Sequence, residues 1–280
     1  MKTKILTWLK SLAKDDYPDA TGKLHDPKDQ RDGPYASQYE SGQFRFKGNY
    51  TDGKLDGVQE WFHKNGQLRE EQAYKVGIKG GVWKLFHENG QLRSKGNYTD
   101  GKRNGSFETF YNNGLLRSKG NHKGDKRDGP YESRHENGQL EAKGAFIDGK
   151  KDGSWARFYE NGQLERKGSY KDDLADGVLE WFHPNGQLRS RGNYKSNKRD
   201  GLFEEYRENG QLKVKENYKD GKQDGAYESY YENSQLKTKG SFKDGVLDGP
   251  CELYQEDGQA TEQSITNVAF FNRGRKKGRN

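Results

Sequence analysis

Aliphatic side chains are scarce. Leu, Ile, Val and Phe together make up 44 of 280 residues, about 16%, below the roughly 20% under which chains generally fail to bury a common core. Cysteine occurs once, as Cys251, which excludes an intrachain disulfide and a cysteine-built zinc site and slightly favours a reducing compartment. No apolar run approaches the roughly 18 residues of a membrane-spanning helix. An excess of one charge sign is missing too: 50 basic against 43 acidic residues leave +7, too little for self-repulsion to expand the chain. Of that charge, +5 sits in residues 269–280 and +1 in residues 1–32. The stretch between is densely charged but nearly neutral, which argues against a nucleic-acid groove along its length.

What the chain has instead is aromatic residues, at 12%, and 37 glycines. Both suit short strands and turns better than a layered α/β core. They are also periodic. Glycine recurs every 24 residues from Gly33 through Gly57, Gly81 and so on to Gly249 without an insertion. A second row runs from Gly42 to Gly258, broken only by Ser234, and a third from Phe44 through Leu68 to Leu236, ending at Ala260. Ten units result, and a fixed period of this length marks a repeat architecture.

Within a unit the chemistry predicts a β-hairpin. Asn-Gly recurs, as in Asn65-Gly66 and Asn161-Gly162, and tolerates the two positive φ angles of a type I′ turn. A second connection with two Asp-Gly pairs, such as Asp148-Gly149 and Asp152-Gly153, turns the chain into the next hairpin. A two-residue loop fixes the register. It sets Glu108 against Lys119, Glu132 against Lys143, Glu180 against Arg191, Glu204 against Lys215 and Glu228 against Lys239, the opposite-charge partners a correct register requires. Two hairpins disagree, with Glu60 facing Glu71 and Lys84 facing Lys95. The other face is expected to pack: rings such as Trp83, Phe107 and Trp155 over cross-strand glycines, joined by the leucine row and by Tyr50, Tyr74 and Tyr98. The face carrying Phe110, Phe158 and Phe182, set against Arg117, Glu165 and Arg189, is amphipathic and wetter.

The unit, written DGKxDGxxxxFYENGQLxxKGxY, resembles the MORN repeat in its bacterial NGxL variant over about residues 32–266. The resemblance implies an all-β chain: an elongated, single-layer, twisted antiparallel sheet of ten consecutive 24-residue hairpins, roughly 95 Å long at about 4.8 Å per strand. The expected organisation is an N-terminal helix and lead-in over residues 1–32, repeats over 33–266 and a basic tail over 267–280. The resemblance further implies a non-enzymatic protein-binding scaffold. Through YwqK-like relatives it suggests an antitoxin or immunity protein acting on a toxin or effector, with a membrane- or phospholipid-associated scaffold as the alternative. It brings no catalytic motif, cofactor or metal.

Candidate contacts fall into two groups. Trp61 and Trp181 share the string EWFH in units whose usual ring two positions earlier is replaced by Gln59 and Leu179, so structural compensation and partner contact compete for them. With Phe62, Phe110, Phe158 and Phe182 they form the candidate partner-binding set. Ile5, Leu6, Leu9, Leu12 and Ala13 have helical spacing among Lys4, Trp8 and Lys10. They suit an uncleaved helix covering the first sheet edge or, alternatively, lying on an anionic membrane surface. The tail residues Arg273, Arg275, Lys276 and Lys277 join Lys4, Trp8 and Lys10 as candidate membrane or anion contacts. The expected location is cytoplasmic or peripheral to a membrane. His63, His87, His135 and His183 share a position held elsewhere by Tyr39, Tyr111, Tyr159 and Tyr231, so hairpin packing rather than metal ligation accounts for them. Asp-Gly turns with Lys54 or Lys150 in their midst do not make a calcium loop.

Overall fold

The computed structural model describes residues 32–261. The expected N-terminal helix, with Lys4, Trp8 and Lys10, and the tail with Arg273, Arg275, Lys276 and Lys277 lie outside the described residues. The chain divides into two compact units, up to Gly138 and from Gln139 onward. Among the described residues all regular structure is β and no helix occurs.

In the first unit, strands Gly33–Gln38, Phe44–Thr51, Gly57–Phe62, Leu68–Lys75, Ile78–Phe86, Leu92–Thr99, Gly105–Phe110, Leu116–Lys123 and Gly129–Arg134 pair antiparallel in sequence order. In the second, Leu140–Ile147, Lys150–Phe158, Leu164–Lys171, Leu174–Phe182, Leu188–Lys195, Lys198–Tyr206, Leu212–Lys219, Lys222–Tyr230 and Leu236–Lys243 do the same. Each unit is thus one antiparallel sheet of consecutive hairpins. The tenth copy is a stub, a two-residue strand Glu252–Leu253 and an isolated bridge from Tyr254 to Ala260.

The Asn-Gly turn is not the expected type I′. At Asn-Gly the loop is Lys64–Asn65–Gly66: Gly66 N donates to His63 O at 2.9 Å, His63 N donates to Gln67 O at 2.8 Å, and Gly66 alone has positive φ, 85°. This is a type I turn closed by a glycine bulge. Pro184, which opens the corresponding turn before Asn185-Gly186, fits it because proline presets the negative φ of the first central position. The type I′ turn stands at the other end of the hairpin, where Asp52 and Gly53 have φ of 50° and 67°.

The three-residue loop has a consequence for the faces. Trp61 still faces Glu70, but Phe62 faces Leu68, leaving Arg69 as an extra residue. One residue of shift moves a side chain to the opposite face. The leucine row therefore does not join the packed face: Leu116, Leu164 and Leu188 lie opposite Phe110, Phe158 and Phe182, in place of the expected Arg117, Glu165 and Arg189.

Away from the turn the expected register holds, with Glu108 opposite Lys119, Glu180 opposite Arg191, Glu204 opposite Lys215 and Glu228 opposite Lys239. The close ion pairs, however, mostly join successive repeats: Lys95 to Glu108 at 2.7 Å, Lys119 to Glu132 at 3.0 Å, Lys167 to Glu180 at 2.8 Å and Arg191 to Glu204 at 2.6 Å. This resolves the two discordant hairpins. Glu71 faces Glu60 on one side but binds Lys84 at 2.8 Å on the other, and Lys95, opposite Lys84, binds Glu108. The swap E71K/K84E would turn the row Glu60, Glu71, Lys84, Lys95, Glu108 into strict alternation. We expect it to stabilise the first unit by about 0.5–1 kcal/mol at low salt, fading at high salt, because these pairs are partly exposed and screened. E71K alone should destabilise. Urea denaturation of the parent and the two variants at two ionic strengths checks this, and a double variant weaker than the parent would refute the ladder.

Candidate binding faces

One face of each sheet is closed by its own side chains. In the first unit Phe46, Tyr50, Leu55 and Trp61 form a buried cluster with Tyr35 and Tyr74 against it, and Trp61 lies 5.2 Å from Phe46, centroid to centroid. In the second, Phe146, Trp155, Leu179, Phe203 and Tyr218 are buried. The strand glycines supply the room: a Cβ at Gly144 would lie 2.3 Å from the Trp155 ring, and one at Gly192 2.7 Å from Phe203.

A row of cations completes this face, two residues before the repeat glycine. Lys79 lies over Tyr98 at 5.3 Å, Arg127 over Tyr131 at 5.0 Å, Lys151 over Trp155 at 4.8 Å and Arg199 over Phe203 at 3.6 Å. Such stacking favours the cation when partly desolvated. The position holds Leu55 and Ala175 in the hairpins where Gln59 and Leu179 replace the usual ring and where Trp61 and Trp181 stand two residues on. Both displaced tryptophans stand where the cation is missing, although Gln223 also replaces the cation beside the ordinary ring Tyr227. Of the polar groups on this face, the buried Trp83 Nε1 has no hydrogen-bond partner among the described residues, whereas Glu216 has two. Glu216, at a position that is glycine in most repeats, accepts hydrogen bonds from Tyr218 Oη at 2.7 Å and Gln223 Nε2 at 2.6 Å. Burial, then the Glu216 contact, pushes the Tyr218 hydroxyl up to about 12.

His122 stands where most repeats have tyrosine, 4.4 Å from the Phe107 ring and opposite Arg127. Burial first, then Arg103 and Arg127, lowers its pKa, with Asp125 opposing. A folded-state value below the ordinary 6.5 means that the unfolded chain binds the proton more tightly. The first unit should therefore be most stable above about pH 6.5 and lose this contribution as pH falls below it. His122→Tyr should flatten that part of the profile. Denaturation midpoints at pH 7.5 and 5.5 test the sign, and an equal pH drop in both proteins would refute it.

The opposite face carries the Glu/Lys ladder and, towards the Asn-Gly end, the Phe–Leu stripe. Phe44 and Phe62 lie 6.3 Å apart with Lys47 Nζ 3.9 Å from the Phe44 ring. Lys95 lies 6.0 Å from Phe110 and Lys167 5.8 Å from Phe182. Val58, Val82 and Val178 on this face are 58%, 51% and 46% exposed.

The six candidate contacts therefore do not form one surface. Trp61 is buried and Trp181 half-buried on the packed face, whereas Phe62, Phe110, Phe158 and Phe182 are half-buried on the ladder face. The histidine row does the same work as its tyrosines. His63 Nε2 lies 3.0 Å from Phe86 O, and Tyr39 Oη donates to Phe62 O and Tyr159 Oη to Phe182 O, both at 2.8 Å. Because the carbonyl only accepts, the imidazole proton sits on Nε2. Each bond runs 23 residues onward, from one turn to the next hairpin. The turn asparagines add a parallel set, such as Asn65 Nδ2 to Glu88 O at 2.7 Å. Among the described residues no group of three or more His, Cys, Asp or Glu is placed to hold a metal ion, and no helix is long and apolar enough to cross a membrane.

Consecutive hairpins, each tied to the next by side chains, with one face closed and the other laddered with charge, define a repeat scaffold suited to binding. The family model described as "MORN repeat variant" matches residues 55–75, 79–100, 127–148, 151–172, 175–196, 199–220 and 223–244, more than half of the chain, which therefore belongs to the MORN repeat family. Seven copies match rather than the ten read from the spacing; those beginning at Gly33, Gly105 and Gly249 fall outside, although the first two form regular strands. No curated protein matches the chain significantly. It aligns with the crystal structure of TcdB2-TccC3 at 11% identity and a TM-score of 0.20, over 81% of this chain and 14% of that one. With TcdB2-TccC3-TEV the identity is 11% and the TM-score 0.17, over 82% and 16%. The chain spans about a seventh of those structures, and at such scores the likeness carries no argument.

Proposed function

We propose that this chain is a non-enzymatic, cytoplasmic protein-binding scaffold that neutralises a toxin or effector, and that the Phe–Leu stripe of the ladder face is its working surface. One observation supports this reading above the rest. The packed face is covered by its own rings and cations over most of its length, whereas the stripe repeats half-exposed aromatic and aliphatic pairs beside cations, as at Phe110, Leu116 and Lys95. Exposed apolar strips rimmed by charge mark protein-binding surfaces, and aromatic anchors carry much of their affinity.

The test is to co-purify the full chain with the product of the neighbouring gene and to co-express the two. Micromolar or tighter binding and relief of toxicity support the reading. Phe110→Glu or Phe158→Glu should weaken binding 30-fold or more, about 2 kcal/mol, with the melt little changed. No partner, no relief of toxicity, and flotation with anionic liposomes would replace it with the membrane-scaffold reading.

A further inference from the structure

The hairpin around Trp155 departs from its neighbours on the packed face. Arg157 lies directly opposite Arg166, where Trp181 faces Ser190, Glu205 faces Val214 and Ser229 faces Thr238. Like charges set opposite each other destabilise a sheet, so packing gives no reason for the pair. Beyond it, Arg166 faces Trp181 and Arg157 faces Ala142. The guanidiniums are bounded by an indole on one side and a methyl group on the other.

Beside them opens a cavity of about 90 Å³, lined by Ala142, Lys151, Trp155, Arg157, Arg166 and Tyr170 among others. Its floor is fixed. Trp155 Nε1 donates to Ala145 O at 3.0 Å, and the ring packs edge-on against Phe146 at 5.0 Å. Lys151 Nζ stands 4.8 Å from the Trp155 ring and 5.5 Å from that of Tyr170. Burial, then Arg166, holds the Lys151 pKa below its usual range, with Asp173 opposing.

Arg157 reaches Glu165 at 3.0 Å and Glu141 at 3.6 Å. Neither the Arg166 guanidinium nor Lys151 Nζ has an ion pair or hydrogen bond among the described residues. Arg157 takes up these two carboxylates and Asp173 partly offsets Lys151, which leaves the Arg166 guanidinium with the unmatched positive charge. That surplus suits a single carboxylate better than a dianionic phosphate. A planar guanidinium also matches the two carboxylate oxygens in bidentate geometry.

We propose that this cavity is a carboxylate-binding site: Arg166 grips the two oxygens, Arg157 and Lys151 complete the charge, and the Trp155 ring carries the apolar part of the ligand. The carboxylate belongs either to a free aromatic acid or to an acidic side chain of a polypeptide. The site lies on the face opposite the Phe–Leu stripe and stands whether or not the chain neutralises a toxin.

The experiment follows the Trp155 Nε1–H and Arg166 Nε–H NMR signals of the full chain during titration with benzoate, benzamide, inorganic phosphate and the blocked dipeptide N-acetyl-Glu-Phe-amide. Benzoate should bind saturably with Kd on the order of 1 mM, phosphate at least tenfold more weakly and benzamide not at all. Arg166→Gln should weaken benzoate at least tenfold while the melt stays level or rises, since a repulsive pair is removed. Arg157→Gln repeats the test if that variant misfolds. A dipeptide tenfold tighter than benzoate assigns the site to a polypeptide side chain and the reverse order to a free acid; both uphold it. An equal response to benzamide, phosphate binding as tight as benzoate, or no effect of either substitution overturns it.

Discussion

Gly144→Ala is expected to destabilise the second unit by about 2–3 kcal/mol, lowering its melting temperature by roughly 5–10 °C. Backbone conformation is not the reason, because Gly144 is absent from the residues with positive φ. The cause is space: an added Cβ would lie 2.3 Å from Trp155 Cδ2 and 2.4 Å from Cε2, distances a real Cβ does not adopt. Relief requires moving an indole held by Ala145 O, by Phe146 and by the Lys151 ammonium above it. Gly153 is the control. It has φ of 76°, and a Cβ there would meet nothing within 4 Å, so alanine encounters only backbone strain, about 1 kcal/mol. In a Trp155→Ala background the Gly144→Ala cost should shrink to a few tenths, and the coupling between the two sites should exceed about 1 kcal/mol. Thermal denaturation of the four proteins of this cycle provides the measurement. Additive effects would mean that the ring does not press on the glycine.

The period, the strand positions and most of the cross-strand register were legible because they depend only on spacing, which 24-residue regularity makes unambiguous. The turn types were not. Asn-Gly serves both a type I′ turn and a type I turn with a glycine bulge, and the local pair does not distinguish them; Pro184, one position earlier, does. From that ambiguity follows the misplaced leucine row, since one extra residue at Arg69 exchanges the faces. The cation row escaped for a different reason. Lys151 and Arg199 sit in polar strings that read as turns, yet each places its charge over a ring on the packed face. Its trace in the sequence is correlated loss: where Leu55 and Ala175 replace the cation, Gln59 and Leu179 replace the ring and tryptophan follows two residues later. Of the candidate contacts, the phenylalanines were assigned to the correct face from alternation alone. For Trp61, only burial shows that its ring belongs to the interior.

Gln59→Leu should cost about 2–4 kcal/mol, although Leu179 occupies the same repeat position. Gln59 is fully buried and lies over Gly48, where an added Cβ would approach its Oε1 to 1.7 Å. Its amide bridges the bulge by which one hairpin enters the next: Oε1 accepts from Asn49 N at 3.1 Å, and Nε2 donates to Asn49 O at 3.1 Å and to Asp56 O at 2.8 Å. Leucine matches the volume but none of these bonds. Asn49 O keeps the N–H of Asp56 at 2.9 Å, so Asn49 N and Asp56 O bear the main loss, at about 1–3 kcal/mol for each buried group left unpaired. The gain from burying a more apolar side chain offsets about 1–2 kcal/mol. Trp61, two residues away in the buried cluster with Phe46, supplies a fluorescence probe of the same region during urea unfolding. A variant within about 0.5 kcal/mol of the parent would show that the aromatic cluster alone holds this junction. The expected loss would instead assign Gln59 the role that a ring and its cation play in most other repeats, covering the backbone where the chain passes from hairpin to hairpin.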